Sequence, residues 1–160
     1  MILYHGGTEC IKNPVIRPSL ASRDFGTGFY CTDIPSQAEK WAKRQGRIRK
    51  CPAVMNVYKF DIDRAKQDLN YKIFEDYIIE WLDLVIKCRK DSSYIHGFDI
   101  VYGKIANDDV GETVQAVLDG LMPSDFALQK LAFMEANNQY CFCTEKSLAF
   151  LKFIEFIELK

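Results

Sequence analysis

The stretch that decides the fold is Phe25-Gly26-Thr27-Gly28-Phe29-Tyr30-Cys31-Thr32-Asp33. Glycines at 26 and 28 let the chain turn, or run close to another backbone, before Phe29 enters a strand. Alternation along that strand sends Phe29 and Tyr30 to opposite faces. The stretch holds only G-x-G, with no third glycine and no following Lys-Ser/Thr, so it is not a phosphate loop. Upstream, Ile2 to His5 reads as a short strand ended by Gly6-Gly7, and residues 8–24, with Pro14 and Pro18, read as an irregular loop. Downstream, Ser36 and Glu39 after Pro35 fit a capping box, which predicts a helix with Ala38, Trp41 and Ala42 on one face.

The remainder alternates between the two periods. Val54 to Ile62 reads as a strand, and residues 71–87 place Tyr71, Phe74, Tyr77, Ile78, Trp81, Leu82 and Val85 at helical spacing. Phe98 to Tyr102 is a strand. Asp109 with Glu112 starts a helix ending at Gly120, and Ser124 starts another with Phe126, Leu128, Leu131 and Ala132 inward. Gln139 to Cys143 is a strand, Glu145 to Leu151 a short helix, and Phe153 to Leu159 a last strand. The expectation is an α+β fold, one domain over residues 1–160, with a compact twisted sheet and helices around it.

Composition narrows the function. A chain of 160 residues buries roughly 70% of its unfolded surface and needs no metal or disulfide staple. With 21 Lys+Arg against 22 Asp+Glu, bulk positive charge does not hold it on nucleic acid. Residues 40–50 nevertheless carry six basic side chains and no acid, a local positive face. The 6 cysteines and 2 histidines have no zinc spacing, so no metal site is expected, and the thiols read as reduced and mostly packed. No leader and no apolar run near the ~20 residues of a membrane span is visible. The expectation is a cytoplasmic protein off the membrane.

Single residues do not decide the chemistry. His5 ends a strand beside two glycines; it reads either as a satisfied strand-edge histidine or as a ligand group over the Gly6 backbone. Trp41 lies eleven residues after Tyr30, and reads as core packing or as half of an aromatic sandwich. Asn107-Asp108-Asp109 precedes a helix, with Asp109 as its N-cap, and Asn137-Asn138-Gln139 before Tyr140 reads as a polar turn.

Taken in order, the residues resemble the ADP-ribosyltransferase superfamily, in its histidine–tyrosine–glutamate branch. The resemblance rests on Tyr4-His5-Gly6-Gly7, then Gly28-Phe29-Tyr30-Cys31-Thr32-Asp33, then Trp41, then Asn138-Gln139-Tyr140. The chain is also similar to a bacterial family of small stand-alone proteins placed in that superfamily. The resemblance implies a split twisted β-sheet with surrounding helices, and NAD as co-substrate. It implies that Gly6, with Gly7, holds the nicotinamide carboxamide, that His5 bonds the adenosine ribose, and that Tyr30 and Trp41 stack on the nicotinamide. Ala38, eight residues after Tyr30, matches the alanine of the diphtheria-toxin side.

One position departs. The branch has a glutamate that steadies the oxocarbenium-like transition state; here it is Gln139. An amide keeps the hydrogen bond and loses the charge, which can cost ~100–1,000-fold. Asp108, Asp109 and Glu145 are candidate substitutes. The auxiliary acid of the arginine-specific branch is absent, since Asn137 holds its position. Arg17 or Arg23 could touch the pyrophosphate. The implied activity is a toxin- or effector-like mono-ADP-ribosyltransferase or NAD glycohydrolase, with a protein or nucleic-acid acceptor and an antitoxin-like partner. The alternative is a binding module for NAD, ADP-ribose or a protein, facing its partner with residues 40–50. A phosphotransferase relative acting on RNA is the weakest reading, because His96 is a poor second histidine.

Overall fold

Strand β1 (Ile2–Gly7) and strand β2 (Phe29–Cys31) meet through one pair, Tyr4 and Thr32, which exchange hydrogen bonds of 2.8 and 2.9 Å. Everything else is built on either side of that pair. In this computed structural model the chain is described over residues 1–18, 23–106, 108–132 and 137–160, with Asp108 and Asp109 in backbone only.

The first sheet has the order β1-β3-β7, with β3 (Ala53–Phe60) antiparallel to both β1 and β7 (Leu151–Leu159). The second has the order β2-β6-β5-β4: β6 (Gln139–Phe142) runs antiparallel to β2 and β5 (Ile100–Gly103), and β5 runs parallel to β4 (Tyr71–Ile73). Six helices surround them among the described residues: α1 (Pro35–Arg49), α2 (Ile62–Asp68), α3 (Ile79–Lys90), α4 (Asp108–Leu118), α5 (Ser124–Leu131) and α6 (Glu145–Leu148). The architecture is α+β, as expected. None of the described helices is long and apolar enough to cross a membrane.

Two apolar layers hold the sheets. Leu3, Tyr58 and Phe60 of the first sheet pack on Phe29, Cys31, Ile100, Tyr140 and Phe142 of the second. The other face of the second sheet, with Val101 and Cys141, packs on Phe25, Phe74 and the Trp81-Leu82-Val85-Cys88 face of α3, and on α4 and α5. The thiols are free: Cys31, Cys88 and Cys141 are buried, and Cys10 is exposed.

Some expected elements move. Tyr71 to Ile73 is a strand and not the start of a helix, because it finds a parallel partner in Ile100 to Tyr102 and Asp99 Oδ2 accepts from Asn70 N at 2.9 Å. The helix starts at Ile79, while Phe74 and Tyr77 reach the core from the link before it. Helix α2 was not expected; its local signal is Asp61, whose carboxylate accepts from Arg64 N. Helix α1 starts at Pro35 without the Ser36 cap, since Ile34 is its N-cap and Ile34 N donates to Thr32 Oγ1 at 3.1 Å. In α5 the buried residues are Ala127 and Leu131, and Phe126 is exposed.

Candidate active site

The site begins where the sheets part. Met1 pairs with Phe60, so odd-numbered residues of β1 turn their backbone groups toward β3. Tyr4 pairs with Thr32, so even-numbered residues turn toward β2. Gly6 would continue that second row, but the strands diverge after Tyr4. Among the described residues, nothing pairs with Gly6 N–H or C=O, although Gly6 is buried. Buried backbone groups without partners are rare in native proteins. Nor can this residue be anything but glycine: a Cβ there would lie 2.2 Å from Ala38 O.

His5 occupies the gap. Its Nδ1 lies 2.7 Å from Tyr30 O, and its ring stacks on Phe29 with centroids 4.4 Å apart. Burial lowers its pKa below the ordinary 6.5, so the ring is neutral at pH 7. A neutral imidazole facing a carbonyl through Nδ1 carries its proton there, which leaves Nε2 as an acceptor beside Gly7. A pH dependence follows. Below about pH 6.5 the unfolded chain takes up the histidine proton before the folded one does, so stability falls as pH falls. The urea midpoint is expected to drop between about pH 7.5 and about pH 5.5, and His5→Gln to flatten part of that drop. His96, lowered by burial in the same direction, supplies the rest. An unchanged slope in His5→Gln would contradict the assignment.

Tyr30 lies on the opposite face of β2. Its hydroxyl donates to Gly26 O at 2.7 Å and accepts from Phe25 N at 3.2 Å, closing the glycine turn, in which Gly26 has φ 74°. Burial pushes its phenol well above the ordinary range. Gly28 lets this strand lie against β6; a Cβ there would be 2.4 Å from Cys141 Sγ. The Arg23 guanidinium covers the Tyr30 ring, 5.2 Å from its centroid. Tyr30→Phe strands the Phe25 N–H and the Gly26 carbonyl. It is expected to cost about 1–3 kcal/mol, read by urea unfolding, whereas a loss below a few tenths would show that the turn closes without the hydroxyl.

Gln139 shares this face with Tyr30, because Tyr30 is paired with Cys141 and Gln139 stands two residues before it. Gln139 is buried, and its Nε2 donates to Asp24 Oδ2 at 2.9 Å and to Lys104 O at 3.3 Å. Asp24 in turn takes Ala106 N on Oδ2 at 2.8 Å, and Arg89 Nη2 and Nε on Oδ1 at 2.7 and 3.1 Å. Gln139 Oε1 bonds to nothing among the described residues, and no fully buried side-chain oxygen or nitrogen there lacks a partner. That oxygen therefore opens outward. The expected polar turn before it is a clamp: Asn137 Oδ1 accepts from Ile105 N at 2.7 Å, and Asn138 Nδ2 donates to Asp33 at 2.6 Å.

The structure sets His5, beside Gly6 and Gly7, against Phe29 and Tyr30 O at the parting of the sheets, places the Tyr30 and Gln139 side chains together on the other face of the second sheet, and leaves Trp41 apart. Trp41 is 52% exposed, carries Arg44 over its ring and makes no ring pair with Tyr30. The inward stripe of α1 is Ala38, Ala42 and Gly46, where the backbones run too close for an indole. Glu145 accepts from Ile16 N on α6 and does not reach Gln139. The side chains of Asp108 and Asp109 lie outside the described residues. Arg17 pairs with Glu9 at the surface, and Arg23 is the arginine at the site. His96 bonds Phe25 O and Phe98 N, a structural role. Sequence reading missed Asp24 and Arg89. Asp24 abuts the glycine turn, but nothing local points to a partner 65 residues away. The basic stripe of α1, with Lys40, Lys43 and Arg47, and Lys50 just after the helix line a separate groove of about 830 Å³ with Pro52 and Leu159.

These features define a two-sheet α+β protein with a polar site where the sheets diverge. Residues 1–153 match the model of the family described as protein of unknown function (DUF3990), and the chain belongs to that family. No curated protein matches it.

Proposed function

We propose that the chain is an NAD-dependent mono-ADP-ribosyltransferase on the split-sheet fold of the histidine–tyrosine–glutamate branch. Two sheets joined by a single bridge support the fold reading. The observation that carries the function is Gly6. Its buried N–H and C=O, unpaired among the described residues, form a donor–acceptor pair complementary to a primary carboxamide, the group nicotinamide presents. His5 Nε2 accepts from a hydroxyl of the adenosine ribose. Tyr30 offers its ring to the nicotinamide once the exposed Arg23 side chain swings from it toward the pyrophosphate. Gln139 Oε1 accepts from the 2′-hydroxyl of the nicotinamide ribose. The bond from ribose C1′ to the nicotinamide nitrogen breaks, its electron pair leaves with nicotinamide, and an acceptor nucleophile forms the new bond to C1′.

Gln139 brings no charge to the cation-like transition state, so turnover is about 100–1,000-fold slower than a carboxylate there would allow. The six free thiols fit a reducing, cytoplasmic setting. Purified protein incubated with NAD is expected to release nicotinamide slowly, with ADP-ribose mass appearing on an acceptor, and Tyr30→Ala is expected to abolish both. Failure to bind NAD would overturn the proposal.

A second reading has a specific support. Arg89 neutralises Asp24, the one carboxylate bonded to Gln139 among the described residues. A pocket that binds NAD or ADP-ribose without cleaving it would look the same, and the basic stripe of α1 would then meet the partner. NAD binding with no nicotinamide release selects this reading.

A further inference from the structure

We propose that Asp24 is the positioning residue of this site: it holds the Gln139 carboxamide with its NH2 inward and Oε1 outward, and it makes an amide, not a carboxylate, the group required at 139. The inference rests on the functional reading above for what Oε1 meets, and on geometry alone for the pair itself. Gln139 Nε2 sits 2.9 Å from Asp24 Oδ2 and 3.3 Å from Lys104 O, two acceptors that only an NH2 group satisfies together. The opposite amide orientation would set Oε1 against both of those oxygens. Asp24 itself cannot turn away, because Arg89 Nε and Nη2 both donate to Oδ1 and Ala106 N holds Oδ2.

A glutamate at 139 would place a second carboxylate against Asp24. Arg89 bonds Asp24 and does not bond position 139, so the proton that relieves the repulsion goes to the introduced carboxylate. Its pKa rises above the ordinary carboxylate range. The other titratable or charged groups around the pair are Tyr30 on β2 with Arg23 over its ring, Cys141 on β6 with Cys143 just beyond it, Tyr77 before α3 and Cys88 on α3. Burial raises Tyr30, Tyr77 and Cys88, so these three stay uncharged through neutral pH. Protonated, the introduced carboxyl donates to Asp24 as the amide does. Ionised, it does not. Because its folded pKa is raised, the stability of the variant is present at acid pH and lost as pH rises, opposite in sign to the histidine effect of the wild type.

The test compares wild type, Gln139→Glu and the double variant Asp24→Asn/Gln139→Glu at about pH 5.5 and about pH 8. Thermal midpoints are read without ligand, and NAD affinity by calorimetry. Gln139→Glu is expected near the wild-type midpoint at acid pH and several degrees below it at the higher pH, with NAD bound about tenfold more weakly there. The double variant, with one negative charge fewer, recovers part of both losses at the higher pH. Ala106 N–H loses its acceptor in it, so recovery is incomplete. If Gln139→Glu folds at neither pH, the double variant is expected to restore folding. A Gln139→Glu protein as stable as wild type at the higher pH, or tighter for NAD there, overturns the proposal, as does a double variant no better than the single one. If the wild type binds no NAD, the functional reading fails while the midpoints still decide the Asp24–Gln139 pair.

Discussion

Replacing Arg89 by methionine is expected to cost about 3–5 kcal/mol of folding stability. The guanidinium makes two bonds to Asp24 Oδ1 and a third, at 3.2 Å, to Ala106 O. Methionine keeps much of the side-chain volume and none of these bonds. Asp24, 7% exposed, is then a buried carboxylate with no counter-charge, the arrangement most costly to a fold. The damage spreads from there, because Asp24 also joins Phe25 and the glycine turn to β6 through Gln139 and to the β5–α4 link through Ala106. Adding Asp24→Asn to Arg89→Met removes the uncompensated charge and is expected to recover part of the loss. Urea unfolding of the three proteins reads this directly. A loss near or below about 1 kcal/mol, the range of exposed ion pairs, would mean that the pair is solvated and does not hold the site.

Gly6→Ala is the second large effect. Its Cβ would meet Ala38 O at 2.2 Å, Ala38 C at 3.1 Å and Ala42 N at 3.0 Å. All three are backbone atoms of α1, so no side chain can rotate away. Either the helix lifts from β1 or the strand shifts across the bridge to Thr32. The expected cost is about 3 kcal/mol, the upper part of the usual range for overpacking. The functional loss should exceed the stability loss, since any shift of β1 also moves the Gly6 backbone pair and His5. NAD affinity measured well below the unfolding midpoint separates the two. Gly6→Ala with wild-type midpoint and wild-type affinity would contradict both the packing and the site.

The residues that could be read from the sequence are those whose signal is local. Gly26, Gly28 and Tyr30 sit in one turn and strand, and the structure gives each glycine its reason: a positive φ at Gly26 and the approach of Cys141 at Gly28. His5 stands out as the polar residue of the first strand, which the structure extends past it to Gly7, and Gln139 begins β6. Trp41 misled because its helical spacing from Ala38 and Ala42 is that of a core residue, yet Gly6 brings the first sheet's backbone so close to α1 that only Ala and Gly fit. Tyr71 to Ile73 misled because a three-residue strand at a sheet edge is too short to carry a period of its own; its identity comes from pairing with β5. The Asp24–Arg89 pair was illegible for the same reason. Ion pairs between distant segments have no spacing to read, and this one spans 65 residues.

The most direct test of the central claim is an NMR titration of 15N-labelled protein with NAD, following the Gly6 backbone amide and the Gln139 side-chain amide. The Gly6 resonance is expected to shift and saturate with NAD, nicotinamide alone to move Gly6, and the Gln139 NH2, held inward by Asp24, to move less. Shifts confined to the basic stripe of α1, or a Gly6 resonance that stays in place at saturating NAD, would contradict that claim.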